Sequence, residues 1–134
     1  MRYLKLLLLT VLLTPTARTL AQKDHARKIL GCWVFQKIEY DNKAVAENAE
    51  SPAPNSVTVC FEAGGTYTTT EANSNTPITG TYAVSADGKT ITQQRDNPEE
   101  GTLDENAVLS FININSMVLQ LEFARLYFER KNKE

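Results

Sequence analysis

From Leu30 onward the sequence is a series of short segments rich in β-branched and aromatic residues, each followed by turn-forming residues. This pattern is typical of an all-β sandwich or barrel. No helical segment of crossover length separates neighbouring segments, so sequential antiparallel pairing is the simplest arrangement. Pairing of the last strand with the first would remove both sheet edges. The sequence therefore predicts an eight-stranded antiparallel up-and-down β-barrel.

Turn signals set the predicted strand boundaries. Asp87-Gly88 is a strong hairpin signal, because glycine readily adopts the positive φ that tight hairpin turns need, and Gly64-Gly65 predicts another turn. The loop over residues 41–55 holds either a short helix around Lys43–Ala49 or irregular structure. The predicted strands are Gly31–Tyr40, Ser56–Glu62, Thr66–Glu71, Ile78–Ser85, Thr90–Gln94, Ala107–Asn113, Met117–Glu122 and Leu126–Lys131.

The N-terminal residues have the composition of a secretory signal peptide. Arg2 and Lys5 give a basic start, and residues 6–13 form a largely apolar run. This run is too short to span a membrane, which takes about 20 apolar residues. The small residues Thr19 and Ala21 fit cleavage after about Ala21.

The signal peptide divides the chain into three predicted parts. Residues 1–21 are the signal peptide, residues 22–29 are a polar lead-in, and residues 30–134 are one β-barrel domain. The lead-in is expected to be a short helix or a frayed arm. The mature protein is expected to be exported, to a periplasm or beyond, with no stable membrane span in the mature chain.

Removal of the signal peptide leaves an acidic domain. The full sequence has a formal charge of −2, and the signal peptide carries Arg2, Lys5 and Arg18 but no acidic residue. The mature chain is therefore more negative than the full sequence. Nucleic acid is a poor partner for such a domain, because the sequence shows no basic stretch to neutralise phosphates.

Cys32 and Cys60 are the only cysteines in the sequence. Two cysteines in an exported chain permit one disulfide. If Trp33 and Val59 point inward, alternation places both cysteines on the outer face of the barrel, at adjacent ends of the first two strands. A cross-strand disulfide and a pair of free thiols are both compatible with this arrangement.

Alternation along the strands also predicts which side chains point into the barrel. The interior of an eight-stranded barrel is either filled by side chains or holds one small ligand, and short strands enclose little volume, so both alternatives stay open. If the lumen is open, Tyr67, Tyr82 or Thr69 could orient a ligand through hydrogen bonds. The candidate lumen residues are Phe35, Val59, Phe61, Tyr67, Thr69, Tyr82, Val84, Leu109, Phe111, Leu119, Leu121 and Phe128.

The two ends of the domain are expected to meet. Gly31-Cys32-Trp33 opens the first strand, and Arg130 lies on the inward face of the last. In a closed antiparallel barrel these strand ends are neighbours. A guanidinium over an indole ring forms a cation–π pair, so Gly31, Trp33 and Arg130 are predicted to close one end of the barrel.

This pairing resembles the lipocalin superfamily, in which a Gly-x-Trp on the first strand packs against a basic residue of the last. The chain is most similar to short lipocalin-like domains of exported bacterial proteins, especially those of Bacteroidota. The resemblance implies a lipocalin-like barrel of the calycin type over nearly the whole mature chain, although a Thr-Asp-Tyr-like turn is absent. The matching segments are Gly31-Cys32-Trp33, Phe61-Glu62-Ala63-Gly64-Gly65-Thr66-Tyr67, Gly80-Thr81-Tyr82 and Tyr127-Phe128-Glu129-Arg130.

No catalytic or metal-binding pattern is present in the sequence. His25, the only histidine, lies in the lead-in, so neither a base-activated nucleophile nor a set of convergent metal ligands is indicated. The acidic pairs Glu99-Glu100 and Asp104-Glu105 are interpreted as a solvated loop, since their spacing matches no EF-hand. We expect a non-catalytic protein without a metal or cofactor.

Two functions are compatible with a barrel of this kind. The leading hypothesis is binding of a small hydrophobic ligand in the lumen. The alternative is a protein-interaction or inhibitor module with a filled barrel, which would use its rim loops. An open apolar lumen would favour the first function, and a packed lumen with an exposed apolar rim would favour the second. No motif identifies the ligand or a protein partner.

Overall fold

The computed structural model describes residues 24–97 and 105–133. The predicted signal peptide lies outside these residues. A short helix, α1 (Lys43–Asn48), lies at the position that the sequence suggested. The strands are β1 (Gly31–Tyr40), β2 (Val57–Phe61), β3 (Thr66–Glu71), β4 (Ile78–Val84), β5 (Thr90–Arg95), β6 (Glu105–Asn113), β7 (Ser116–Gln120) and β8 (Ala124–Arg130).

Every strand pairs with its neighbours in sequence, and β8 pairs with β1 to close the barrel. All the pairs are antiparallel. The predicted fold class, an eight-stranded up-and-down β-barrel, is therefore confirmed. The predicted strands differ from the observed ones mainly at their ends, where turn residues and strand residues have similar composition.

Local chemistry explains two of the connections. Gly88 has a φ of 74° in the β4–β5 turn, a conformation that glycine adopts without a Cβ clash. Asp87 stabilises the same turn, because its carboxylate accepts hydrogen bonds from the Ser85 hydroxyl and the Lys89 backbone N–H. At the start of α1, the side chain of Asn42 caps the helix by accepting a hydrogen bond from the Ala44 N–H.

A β-bulge in β1 changes which side chains face the lumen. The register with β8 shifts between Phe35 and Lys37, so one residue of β1 has no direct partner. Trp33 and Phe35 point inward before the bulge, and Ile38 and Tyr40 point inward after it. Simple alternation from Trp33 assigns the last two to the wrong face.

One end of the barrel is closed by packed side chains. Trp33 and Ile29 have no exposed surface, and Ile91 and Met117 are 1 % exposed. The Trp33 Nε1–H donates a hydrogen bond of 2.8 Å to the Ile29 carbonyl. Ile29 thus packs into the core. Residues 24–27 form a helical turn, which is one of the two forms expected for the lead-in, and this turn brings Ile29 under the indole ring.

Cys32 and Cys60 are joined by a disulfide. They are register partners on β1 and β2, and both point away from the lumen while Trp33 and Phe61 point into it. The bond links the closed ends of the first two strands. Within the described residues, no helix has the length and apolar character required to cross a membrane.

Candidate functional site

The barrel encloses a cavity of about 400 Å³ in the half opposite the packed end. Its walls include inward-facing side chains from all eight strands. The exposed residues Glu50, Glu71 and Glu105 also line it, so the cavity reaches solvent at the end of the barrel where β1 finishes and β2 begins. We call this cavity the lumen pocket and its solvent end the mouth.

One side of the lumen pocket is apolar. It is formed by β1, β2, β7 and β8, which contribute aromatic and aliphatic side chains and no charged group. Phe35 and Phe128 meet there edge to face, with their ring centroids 5.9 Å apart. Side chains of this kind favour an apolar ligand because its transfer from water buries apolar surface on both partners. This side comprises Phe35, Ile38, Val57, Val59, Phe61, Met117, Leu119, Leu126 and Phe128, with Tyr40 at the mouth.

The other side of the lumen pocket carries most of its polar groups, together with the apolar side chain of Ile78. Tyr67, Gly80 and Arg95 are register partners across β3, β4 and β5. Because Gly80 has no side chain, the Tyr67 ring lies directly on its backbone: a Cβ at this position would come within 2.6 Å of Tyr67 Cε1. Thr69 and Gln93 also line the polar side. It therefore offers hydroxyl, amide and guanidinium groups to the cavity.

The Tyr67 hydroxyl is a polar group without a protein partner in the described chain. The residue is only 4 % exposed and lines the lumen pocket, yet no hydrogen bond to its hydroxyl is formed by residues 24–97 or 105–133. Burial raises the pKa of Tyr67 above its usual range, the Glu105 carboxylate raises it further, and the Arg95 guanidinium lowers it. Tyr67 is thus a neutral donor and acceptor at neutral pH, available to a bound molecule.

The mouth carries more negative than positive charge. Glu50, Glu71 and Glu105 line it, against Arg95 alone. None of these four groups forms an ion pair with a described residue. An anionic head group would therefore meet net repulsion at the mouth, whereas a neutral or cationic group would not.

The lumen residues predicted from the sequence fall into two groups. The first group lines the lumen pocket: Phe35, Val59, Phe61, Tyr67, Thr69, Leu119 and Phe128. The second group lies outside it: Tyr82, Val84, Leu109, Phe111 and Leu121. Of this second group, Tyr82, Val84, Leu109 and Phe111 lie toward the closed end, and Leu121 follows β7 at the mouth end.

Each residue of the second group packs against other side chains of the barrel. Tyr82 packs edge to face on Phe61, with ring centroids 4.9 Å apart, and its hydroxyl donates a hydrogen bond of 2.7 Å to the Glu62 carbonyl. Val84 and Leu109 are buried in the core cluster, and Leu121 packs against that cluster. The Phe111 ring packs against the Trp33 ring in a tilted arrangement, with the ring centroids 6.0 Å apart.

Several residues of the lumen pocket were missed at the sequence level. Ile38 and Tyr40 face inward only because of the bulge in β1. Gln93, Arg95 and Glu105 were missed because inward-facing polar residues have the same pattern as outward-facing ones. The sequence of β5 does contain a signal for two of them. Alternation places Gln93 and Arg95 on the same face of the strand as the buried Ile91.

The predicted closure of the barrel is present at the opposite end from the mouth. Arg130 lies over the Trp33 ring, with Cζ 4.3 Å from the ring centroid. Its Nη1 and Nη2 donate hydrogen bonds to the Leu30 and Lys28 carbonyls at 2.6 and 3.1 Å. Gly31 has a φ of 107° and leaves room for the guanidinium, since a Cβ there would lie 3.1 Å from Nη1.

Within the described part of the chain, no three His, Cys, Asp or Glu side chains are grouped closely enough to hold a metal ion. The acidic pairs at 99–100 and 104–105 fall partly outside the described residues. His25 packs against the β4–β5 turn, where a Cβ on Gly88 would come within 3.1 Å of the His25 Cβ. This position is far from the mouth, at the closed end.

Comparison with known proteins supports the fold only. No protein-family model and no curated protein matches the sequence. A lipocalin-like protein from Bacteroides uniformis is 15 % identical, with a TM-score of 0.58, over 77 % of this chain and 98 % of that one. An uncharacterised protein from Bacteroides eggerthii is 12 % identical, with a TM-score of 0.58, over 76 % and 98 %.

A third solved structure, a DUF4847 family protein from Bacteroides vulgatus, is 15 % identical, with a TM-score of 0.54, over 79 % of this chain and 96 % of that one. The three neighbours agree with the closed eight-stranded barrel and with the resemblance drawn from Gly31, Trp33 and Arg130. This chain therefore has the fold of the lipocalin-like proteins of Bacteroides.

Proposed function

We propose that this protein is a non-catalytic binding protein that holds one small amphipathic molecule in the lumen pocket. The lumen pocket itself carries the proposal: about 400 Å³ of space, apolar on one side, polar on the other and open at the mouth. That volume lies within the range of small-molecule sites. The apolar part of the ligand would contact Phe35, Leu119 and Phe128, and its polar part would contact Tyr67 and Gln93.

The charge at the mouth supports a neutral or cationic polar group over an anionic one. Glu50, Glu71 and Glu105 outnumber Arg95, and the Tyr67 hydroxyl forms no hydrogen bond with a described residue. A ligand that donates to Tyr67 or to a carboxylate would satisfy groups that otherwise depend on water. A net hydrogen bond contributes about 0.5–1.5 kcal/mol, so replacing this water by a polar group of the ligand would add modestly to affinity.

The experiment is a titration with the uncharged fluorescent probe N-phenyl-1-naphthylamine, followed by displacement with decanol. Val59→Phe places a larger side chain in the lumen pocket and is expected to weaken probe binding by about tenfold or more. Val108→Phe is the matched control, because Val108 is 54 % exposed and its strand neighbour Leu109 is the residue that points inward. Absence of probe binding, or equal binding by both variants, would contradict the proposal.

Native mass spectrometry of protein purified from the cells that make it is an independent test. A bound mass that is lost on organic extraction supports a carrier of a small molecule. We further propose that the protein is exported after cleavage near Ala21, on the evidence of its N-terminal composition. Determination of the N-terminal residue of the mature protein, after cell fractionation, tests that proposal.

The competing function, a protein-interaction module on a filled barrel, has one observation in its favour. Phe123 is 64 % exposed in the β7–β8 turn and Val45 is 42 % exposed on α1, and the Phe123 carbonyl accepts a hydrogen bond from the Asp41 N–H that follows β1. These apolar groups lie at the mouth. The barrel is not filled there, however, and the lumen pocket favours a small ligand.

A further inference from the structure

A second cavity lies outside the barrel, at its closed end. It has a volume of about 500 Å³ and is lined mainly by Arg27, Lys28, Leu30, Phe111, Ile114 and Arg130. Trp33 and Ile29 are packed at the closed end of the barrel, so this cavity is separate from the lumen pocket. We call it the closed-end groove.

Three cationic side chains converge on the closed-end groove, and no acidic residue lines it. Arg27 and Lys28 are exposed, and neither forms an ion pair with a described residue. Arg130 is held by hydrogen bonds to the Leu30, Lys28 and Ile114 carbonyls, which fix the guanidinium but leave its formal charge uncompensated. The positive charge of the groove is therefore available to an anion.

The remaining lining of the closed-end groove is apolar. Ile114 is 59 % exposed and lies in the turn between β6 and β7. Leu30 and Phe111 are partly buried and face the same cavity. Isolated apolar side chains on a surface are ordinary, but here they line a concave site beside three cations.

We propose that the closed-end groove binds a single amphipathic anion, with its acidic group at Arg27, Lys28 and Arg130 and its apolar chain against Leu30, Phe111 and Ile114. Charge complementarity identifies the head group, and the apolar lining identifies the chain. The concave shape favours one molecule over a flat membrane surface. This site is independent of the proposed lumen function, whose mouth has the opposite charge.

The experiment is a titration of the full-length mature protein with decanoate, decanol and decylamine, which share one chain length. Trp33, the only tryptophan, lies beneath Arg130, so its fluorescence reports on the closed end. The Arg27→Glu/Lys28→Glu variant is expected to weaken decanoate binding by about tenfold or more, and high salt should weaken it in the parent protein. Lys43→Glu/Arg125→Glu makes the same change of charge near the mouth and is expected to bind decanoate normally.

A second variant separates the two cavities. Val59→Phe changes the lumen pocket alone and is expected to keep decanoate binding, with a normal melting temperature in each variant as the test of folding. Loss of decanoate binding in Val59→Phe, or unchanged binding in Arg27→Glu/Lys28→Glu, would overturn the proposal. A Trp33 fluorescence change that shows tighter binding of decanol or decylamine than of decanoate would also overturn it.

Two further arms test the other occupants. Sedimentation with phosphatidylglycerol vesicles but no response to monomeric decanoate would assign the groove to a membrane surface. Self-association at low salt that depends on Arg27 and Lys28, again without a response to decanoate, would assign it to the acidic mouth of a second copy. Either result would overturn the proposal of a single-molecule site.

Discussion

Arg130 and Trp33 are register partners on the last and first strands, and the Arg130 guanidinium lies over the Trp33 indole. The Arg130 Cζ is 4.3 Å from the centroid of the Trp33 ring. The contact joins two residues that are nearly the whole domain apart in sequence. It closes the barrel at the seam where an open sheet would have its two edges. The same guanidinium donates to the Leu30 and Lys28 carbonyls, so it also fixes the helical turn that precedes β1.

Replacement of Arg130 by methionine is expected to destabilise the protein by about 2–4 kcal/mol, because it removes a cation–π contact and charged hydrogen bonds to backbone carbonyls. Urea denaturation measures the change in the free energy of unfolding. Lys133→Met is the control, since Lys133 is exposed and pairs only with Glu129 at the surface. Equal stability of the two variants would show that the contact with Trp33 adds little.

Removal of the Cys32–Cys60 disulfide is expected to lower the free energy of unfolding by about 3.5 kcal/mol in the chain-entropy model for a separation of 28 residues. The change is tested with the Cys32→Ser/Cys60→Ser variant and with reductant on the parent protein. Reductant should leave the double variant unchanged. Two alkylatable thiols in the unreduced protein would contradict the presence of the bond.

Gly80→Ala is expected to cost about 2 kcal/mol or more, because the added Cβ would overlap the Gln94 carbonyl of the next strand and press on the Tyr67 ring. Gly64→Ala is the matched control: nothing lies within 4 Å of a Cβ there, so its effect on stability should be within about 0.5 kcal/mol. Thermal or urea denaturation of the pair measures the difference. Similar stabilities would mean that β4 can move away from β5.

The stability of the protein is expected to fall at alkaline pH. Burial raises the pKa of Tyr67 and of Tyr82 above the usual tyrosine value of 10.0. In the folded state these phenols hold their protons more tightly than in the unfolded chain, so their contribution is fully present below the unfolded pKa and is lost as pH rises through the folded pKa. Urea denaturation over a series of pH values measures the effect.

Tyr67→Phe separates this contribution from general alkaline unfolding. The variant should lose part of the decline in stability above pH 10.0, because phenylalanine does not titrate. It loses no hydrogen bond to a described residue, so its stability at neutral pH should be close to that of the parent protein. An identical pH profile for both proteins would contradict the raised pKa of Tyr67.

The strands, their order and the meeting of the chain ends could be predicted from the amino-acid sequence alone. Turn residues such as Asp87-Gly88 act locally, through allowed backbone conformations, so they can be recognised without knowledge of the fold. Once eight short strands follow one another without a crossover helix, closure brings Arg130 beside Trp33. Strict alternation then places Cys32 opposite Cys60 on the outer face. These features depend on neighbours in sequence or in register.

The open part of the interior, in contrast, depends on how the whole chain packs in three dimensions. The bulge after Phe35 changes the face of every later residue in β1, and no local signal marks it. Ile29 fills the closed half because the chain before β1 folds under Trp33. The open space in a barrel is its enclosed volume minus the volumes of all inward-facing side chains. This difference depends on all eight strands together, so no single motif predicts it. The polar side of the lumen pocket and the closed-end groove arise in the same way, from residues far apart in sequence.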